Sequence, residues 1–202
     1  MKKAVLIACL SIFACATCGK KAREITVMDN PFFSEFATPF GVPPFNLIKP
    51  EHYMPAFERG MAEQKKDVEA ITSNAAPPTF ANTVEALERG GGLLNTVAGV
   101  FNNLTSSNTN EELQKIDKEL APKLAQHGDD IAMDAALFAR VKAVYDQKDR
   151  LALSTEEARL LDETYKDFVR GGAGLPPDKQ ARLRQVNEEL SVLAVQFGEN
   201  VL

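Results

Sequence analysis

From Lys49 to the end of the chain, apolar residues recur at steps of three and four almost without a break, and nowhere over that length does the pattern alternate residue by residue. A three-to-four period buries one face of an α-helix, whereas a strand needs a period of two, so helix is the only regular element this part of the chain can form. Phe57, Met61, Val68 and Ile71 share one face through about Thr72, with Pro50 and Pro55 suited to a first turn. Phe80, Val84 and Leu87 mark a second helix, ended or kinked by Gly90-Gly91-Gly92. After it, Leu93, Leu94, Val97, Val100, Phe101 and Leu104 form a stripe apolar enough to require burial.

Two capping boxes set later helix starts. Thr109-Asn110-Glu111-Glu112 predicts a start at Thr109, its hydroxyl accepting an orphan amide and Glu112 reaching back to the threonine amide. The helix it opens carries Leu113, Ile116, Leu120 and Leu124, is expected to kink at Pro122 and ends near Gly128. Leu137, Val141 and Val144 define the next helix. Ser154-Thr155-Glu156-Glu157 opens another, with Leu160, Leu161, Thr164 and Phe168 on its face and Gly171-Gly172-Ala173-Gly174 stopping it. The last helix begins near Pro176-Pro177 and carries Leu183, Val186, Leu190, Leu193, Phe197 and Val201. Its stripe is intact at Val201-Leu202 with no stop signal, so the chain is expected to be cut from a longer one. Six or so helices and no fixed-period repeat give an all-α fold, incomplete at its C-terminal end, over residues 49–202.

The preceding residues are of two kinds. Residues 19–48 are rich in Phe and Pro, as in Asn30-Pro31-Phe32-Phe33, Thr38-Pro39-Phe40 and Val42-Pro43-Pro44-Phe45. Prolines at that density prevent a helix, and a free linker gains nothing from so many phenylalanines, so an extended strap packed over the helical body is expected. Residues 1–18 read as an export signal: Lys2-Lys3 form a positive start, and Ala4 to Ala16 are uncharged and too short to span a bilayer. All three cysteines, Cys9, Cys15 and Cys18, fall inside it, leaving the body without a disulfide or thiolate metal site. Two of them are lipidation candidates. Cys15 follows Ile12-Phe13-Ala14, and Cys18 is followed by polar Gly19-Lys20-Lys21; simple cleavage without a lipid is the alternative. Either way the protein is expected in a bacterial cell envelope, periplasmic or lipid-anchored.

Charge and side-chain chemistry narrow the function by what they lack. The net charge is −5, and −7 once Lys2 and Lys3 leave with the signal. Lys and Arg alternate with Asp and Glu along every helix, so no basic stripe exists to hold nucleic acid. The two histidines, His52 and His127, are not in His-Glu-x-x-His spacing, and each is placed at a helix terminus with a structural role. Glu111-Glu112, Asp129-Asp130, Glu156-Glu157 and Glu188-Glu189 are each expected on solvated faces, since adjacent helical residues point apart. Gly90-Gly91-Gly92 lacks the strand and Lys-Ser/Thr of a phosphate loop. No catalytic and no metal-ligating residue is assigned, and the chain alone is expected to hold no zinc and cleave no peptide.

Several strings occur together in family order: Asn30-Pro31-Phe32, Pro43-Pro44-Phe45, Ile48 to Phe57, Pro77-Pro78-Thr79-Phe80-Ala81-Asn82-Thr83, Val100-Phe101-Asn102-Asn103-Leu104, Leu120 to Leu124, Leu137-Phe138-Ala139-Arg140 and Asn187-Glu188-Glu189-Leu190. In this the chain resembles the N-terminal portion of the peptidyl-dipeptidase and oligopeptidase A branch of the thimet-oligopeptidase-like metallopeptidases. The resemblance implies helices that form one wall of a channel for short peptides, and a catalytic half, absent here, that holds zinc through His-Glu-x-x-His and a further glutamate. Relatives are often cytosolic, so the export signal is a departure that moves the expected substrates to oligopeptides of the envelope. The competing reading is a free-standing helical envelope lipoprotein serving as a binding or adaptor module. Apolar patches where a missing catalytic domain docks are expected to make the chain associate.

Overall fold

The computed structural model describes residues 30–201. The export segment 1–18, with lipidation candidates Cys15 and Cys18, and strap residues 19–29 lie outside the described residues. Among the described residues all regular structure is helical.

Of the described strap residues, 30–48, the first half packs as expected. Asn30 caps a single 3-10 turn, Pro31–Phe33, through Oδ1, which accepts the Phe32 amide at 3.1 Å, and its Nδ2 donates to the His52 carbonyl at 2.9 Å. That pair seats Phe32 against Tyr53, centroids 5.5 Å apart, within the main core. The other half departs from the expectation. A second 3-10 turn, Pro39–Gly41, holds Phe40 at a left-handed φ of 60° and fully exposed, and Val42, Phe45 and Leu47 are exposed with it. Proline is compatible with both short turns because it occupies the first position, where no internal donor is needed.

Helix α1 (Pro50–Thr72) starts with His52 Nδ1 accepting the Lys49 amide at 3.0 Å and continues through Pro55. A loop leads to a π-helical segment, Phe80–Glu85, opened by a reciprocal cap between Thr79 and Asn82 (2.8 and 3.1 Å) and running into the short α2 (Ala86–Arg89). Gly91, at φ 74°, turns the chain into α3 (Gly92–Ser107). The α3 stripe is buried as predicted: Val97, Val100 and Phe101 meet Tyr53 and Phe57 of α1 in the main core.

Helix α4 (Glu111–Ala132) corrects the sequence reading at both ends. Its cap is Asn110, whose Oδ1 accepts the Leu113 amide at 2.9 Å, in place of Thr109. It passes through Pro122 and Gly128 and stops four residues beyond that glycine. Leu113 and Leu120 hold its first half in the main core, so the packed face carries the helix over the bond that Pro122 cannot make. Helix α5 (Ala135–Tyr145) is capped by Asp134, and α6 (Thr155–Arg170) by the predicted Ser154/Glu157 box. Leu137, Val141 and Phe168 join Val68 and Ile71 in a second cluster, and Val84, Val144 and Leu161 form a third.

Helix α7 (Pro177–Asn200) lies antiparallel along α4 and buries no residue fully. Its start is fixed by Gly172, at φ 91°, where an added Cβ would stand 2.7 Å from Leu183 Cδ2.

Candidate functional site

The groups that chemistry would need are dispersed. His52 closes the first turn of α1 beneath the strap, which is the terminal role expected of it. His127 is not at a helix end: α4 continues past it, and its Nε2 donates to Gln64 Oε1 of α1 at 2.7 Å, leaving a buried Nδ1 without a partner among the described residues. Among the described residues no three of His, Cys, Asp and Glu converge as metal ligands. The donor set therefore does not fit the zinc centre that the resemblance places in a catalytic half.

The polar groups do assemble one structure, a layer joining α1, α4 and α7. Lys65 Nζ donates to Asp130 Oδ2 at 3.0 Å and Arg184 Nη1 to Asp130 Oδ1 at 2.8 Å. Asn187 Nδ2 donates to Asp129 Oδ1 at 2.6 Å, and Asp129 is only 7% exposed. Asp129 is thus buried, not solvated as expected, Asp130 is half-buried, and the pair ties α4 to α7. Burial pushes the Asp130 carboxyl up, but the hydrogen bonds and charges of Lys65 and Arg184 outweigh it and hold it below its ordinary value. His127 is shifted down, first by burial and then by the Lys65 charge, against a smaller opposing pull from Asp130. Sequence reasoning missed Gln64, Arg184 and Asn187. The signal was the three-residue step from Arg184 to Asn187, which makes a polar stripe on α7 beside its apolar one.

Beside this layer is an open cleft of about 440 Å³ with Leu94, Leu124, Ile131 and Phe168 as apolar walls and Gln64 and His127 at its edge. Farther along, Lys118 Nζ lies 2.8 Å from Glu199 Oε1, tying the far end of α7 to α4 by charge, although the angle is not that of a hydrogen bond. The face of α7 turned to α4 is Arg184, Asn187, Ser191, Val195 and Glu199, whereas Val186, Leu190, Leu193, Phe197 and Val201 point outward and are exposed. No nucleophile is paired with a base in this arrangement. What it offers is surface: an apolar ridge, a cleft and a rigid polar layer behind them.

Among the described residues this is an all-α domain whose polar groups join helices and do not converge as a metal centre. The comparisons assign it. The family model of the neurolysin/thimet oligopeptidase N-terminal domain matches residues 57–182, more than half of the chain, and the chain belongs to that family. It is 40% identical over 173 residues to the dipeptidyl carboxypeptidase of Salmonella typhimurium and 38% identical over 173 residues to that of Escherichia coli, each time across 86% of this chain and 25% of the relative. With the oligopeptidase A of Salmonella typhimurium it shares 29% identity over 175 residues, 87% of this chain and 25% of that protein. The chain spans about a quarter of the length of these relatives.

Proposed function

We propose that this chain is the non-catalytic N-terminal wall of a zinc-dependent oligopeptidase of the peptidyl-dipeptidase type, which degrades short peptides with residues outside this sequence. The observation that carries the reading is the similarity to dipeptidyl carboxypeptidases along 86% of the chain. A helical slab with a rigid polar layer serves such a protein by bounding the space a peptide enters, while hydrolysis belongs to the metal and its ligands elsewhere. The free-standing adaptor reading has no comparable support, since the relatives above are all named as peptidases.

The test is direct. The reading frame is followed past Leu202, where a His-Glu-x-x-His supports the proposal and a native stop sinks it. The purified 202-residue chain is expected to hold less than one equivalent of zinc and to leave oligopeptides uncut, and metal-dependent cleavage by it alone would overturn the assignment.

We also propose that the protein is exported and acts on peptides of the cell envelope. Support comes from Lys2-Lys3, the apolar run after them and the cysteines at positions 15 and 18. Labelled palmitate incorporated by the wild-type chain and lost in Cys15→Ser or Cys18→Ser identifies the anchor. Cleavage without label means a soluble periplasmic form, and retention in the cytoplasm refutes export.

A further inference from the structure

We infer that the outward ridge of α7 is a coiled-coil seam for a single α-helix of the catalytic portion that the relatives contain beyond the matched quarter. This rests on the peptidase reading above. Five residues make the ridge, Val186, Leu190, Leu193, Phe197 and Val201, with Leu190 60% and Phe197 70% exposed. At 3.6 residues per turn the ridge centre lies roughly 135° around the helix from the residues facing α4. An isolated amphipathic helix docks the other way, apolar side inward. Here the rotation is locked by Asn187 on Asp129 and Arg184 on Asp130, and rolling the ridge onto α4 would strip a 7%-exposed carboxylate of its donor. The polar docking keeps the apolar side free.

The spacing names the kind of partner. Leu183, Val186, Leu190, Leu193 and Phe197 follow steps of three, four, three and four, the a/d pattern of a heptad, which presents a narrow seam to another helix. Leu183 is partly covered near Gly172, so the open a/d seam runs from Val186 to Phe197, roughly 17 Å at 1.5 Å per residue, and Val201, the C-cap residue, flanks its end. Two copies of this chain make a poor match. Pairing them antiparallel about the midpoint of Val186–Phe197 sets Glu189 beside Gln196, and pairing them parallel sets Glu189 beside Ala194. The remaining flanks are Asn187, already bonded to Asp129, and Gln196, so no ion pair favours self-association. A helix with an apolar a/d face and a basic flank opposite Glu189 fits. The relatives have room for it, since about three quarters of their length lies outside the match.

Thiol accessibility tests the seam. Leu193→Cys and Phe197→Cys, with Glu188→Cys as an exposed control off the seam, are placed in the chain after Cys9, Cys15 and Cys18 are changed to Ala. The same residues are placed in a chimera in which this chain replaces the matched quarter of the Salmonella typhimurium dipeptidyl carboxypeptidase. Maleimide is expected to label the seam thiols at least about tenfold more slowly in the chimera than in the chain, with the control unchanged. Photo-cross-linking from position 193 is expected to reach residues three and four apart on one helix. Equal labelling rates, or cross-links scattered over loops, would overturn the seam. Protection that rises with the concentration of the chain alone would overturn the choice of partner in favour of a second copy. If the chimera does not fold, the cysteines go at the aligned positions of the Salmonella protein, with the same outcomes. Peptide hydrolysis by the chimera is read separately: protection without hydrolysis refutes the peptidase reading and leaves the seam, and hydrolysis without protection does the reverse.

Discussion

Gly60 of α1 faces the backbone of Leu94 in α3 so closely that a Cβ on Gly60 would stand 2.9 Å from both the Leu94 Cα and its amide nitrogen. The neighbour is backbone within a helix and cannot swing aside. This contact sets the distance at which Phe57 meets Phe101, rings edge to face with centroids 5.6 Å apart. Gly60→Ala gains helix propensity in α1, about 1 kcal/mol, but forces the two helices apart in the main core. The second effect wins, and the variant is expected to lose about 1–3 kcal/mol net, read as a lower urea midpoint with the helical circular dichroism unchanged.

The cap of α4 separates two adjacent candidates. Asn110 Oδ1 accepts the Leu113 amide, and Thr109 lies one residue outside. Asn110→Ala is expected to cost about 1 kcal/mol and Thr109→Ala within about 0.5 kcal/mol of nothing, both by urea unfolding. The reverse order would restore the Thr109 box.

Arg140 explains one of the strings that carried the family resemblance. Its guanidinium donates to the Asn74 carbonyl at 2.9 Å, to the Ala76 carbonyl at 3.3 Å and to Asn82 Oδ1 at 3.2 Å, pinning the loop between α1 and the π-helical segment onto α5. Lysine has one nitrogen and no fork, so it cannot serve three acceptors spread over this loop. Arg140→Lys is expected to destabilise by about 1–2 kcal/mol and to speed amide exchange in residues 74–82 selectively. Uniform exchange rates across the chain would count against the clamp.

Periodicity made the helices legible, because α1, α3, α5, α6 and α7 each carry apolar residues at helical steps. The misreadings share a cause. Pro122 and Gly128 are helix breakers by local propensity, yet Leu120 is buried in the core and His127 is tied to Gln64, and packing overrides propensity there. Thr109 and Asn110 are both good caps, and only the three-dimensional start of α4 chooses between them. For α7 the sequence shows an apolar and a polar stripe but not which one docks. That depended on Asp129 and Asp130, more than fifty residues earlier, supplying acceptors for Asn187 and Arg184.

His127 makes stability depend on pH in a window of its own. Burial among Leu94, Leu124 and Phe168 favours its neutral form, Lys65 of α1 adds repulsion toward a second positive charge, and Asp130 opposes both only in part. The folded value therefore lies below the 6.5 of an unfolded histidine. Above that value both states are neutral and the full stability is present. As the pH falls through it, the unfolded chain takes up a proton that the folded chain refuses, and stability declines until the folded histidine is protonated too. Asp130 is held below its ordinary carboxylate value, so the loss it causes comes at a lower pH and leaves this window clear. Unfolding free energy from urea titrations is expected to fall as the pH drops below about 6.5 in the wild type and to fall less in His127→Gln, which keeps a polar partner for Gln64 but cannot ionise. Parallel curves for the two proteins would show that the histidine does not control this range.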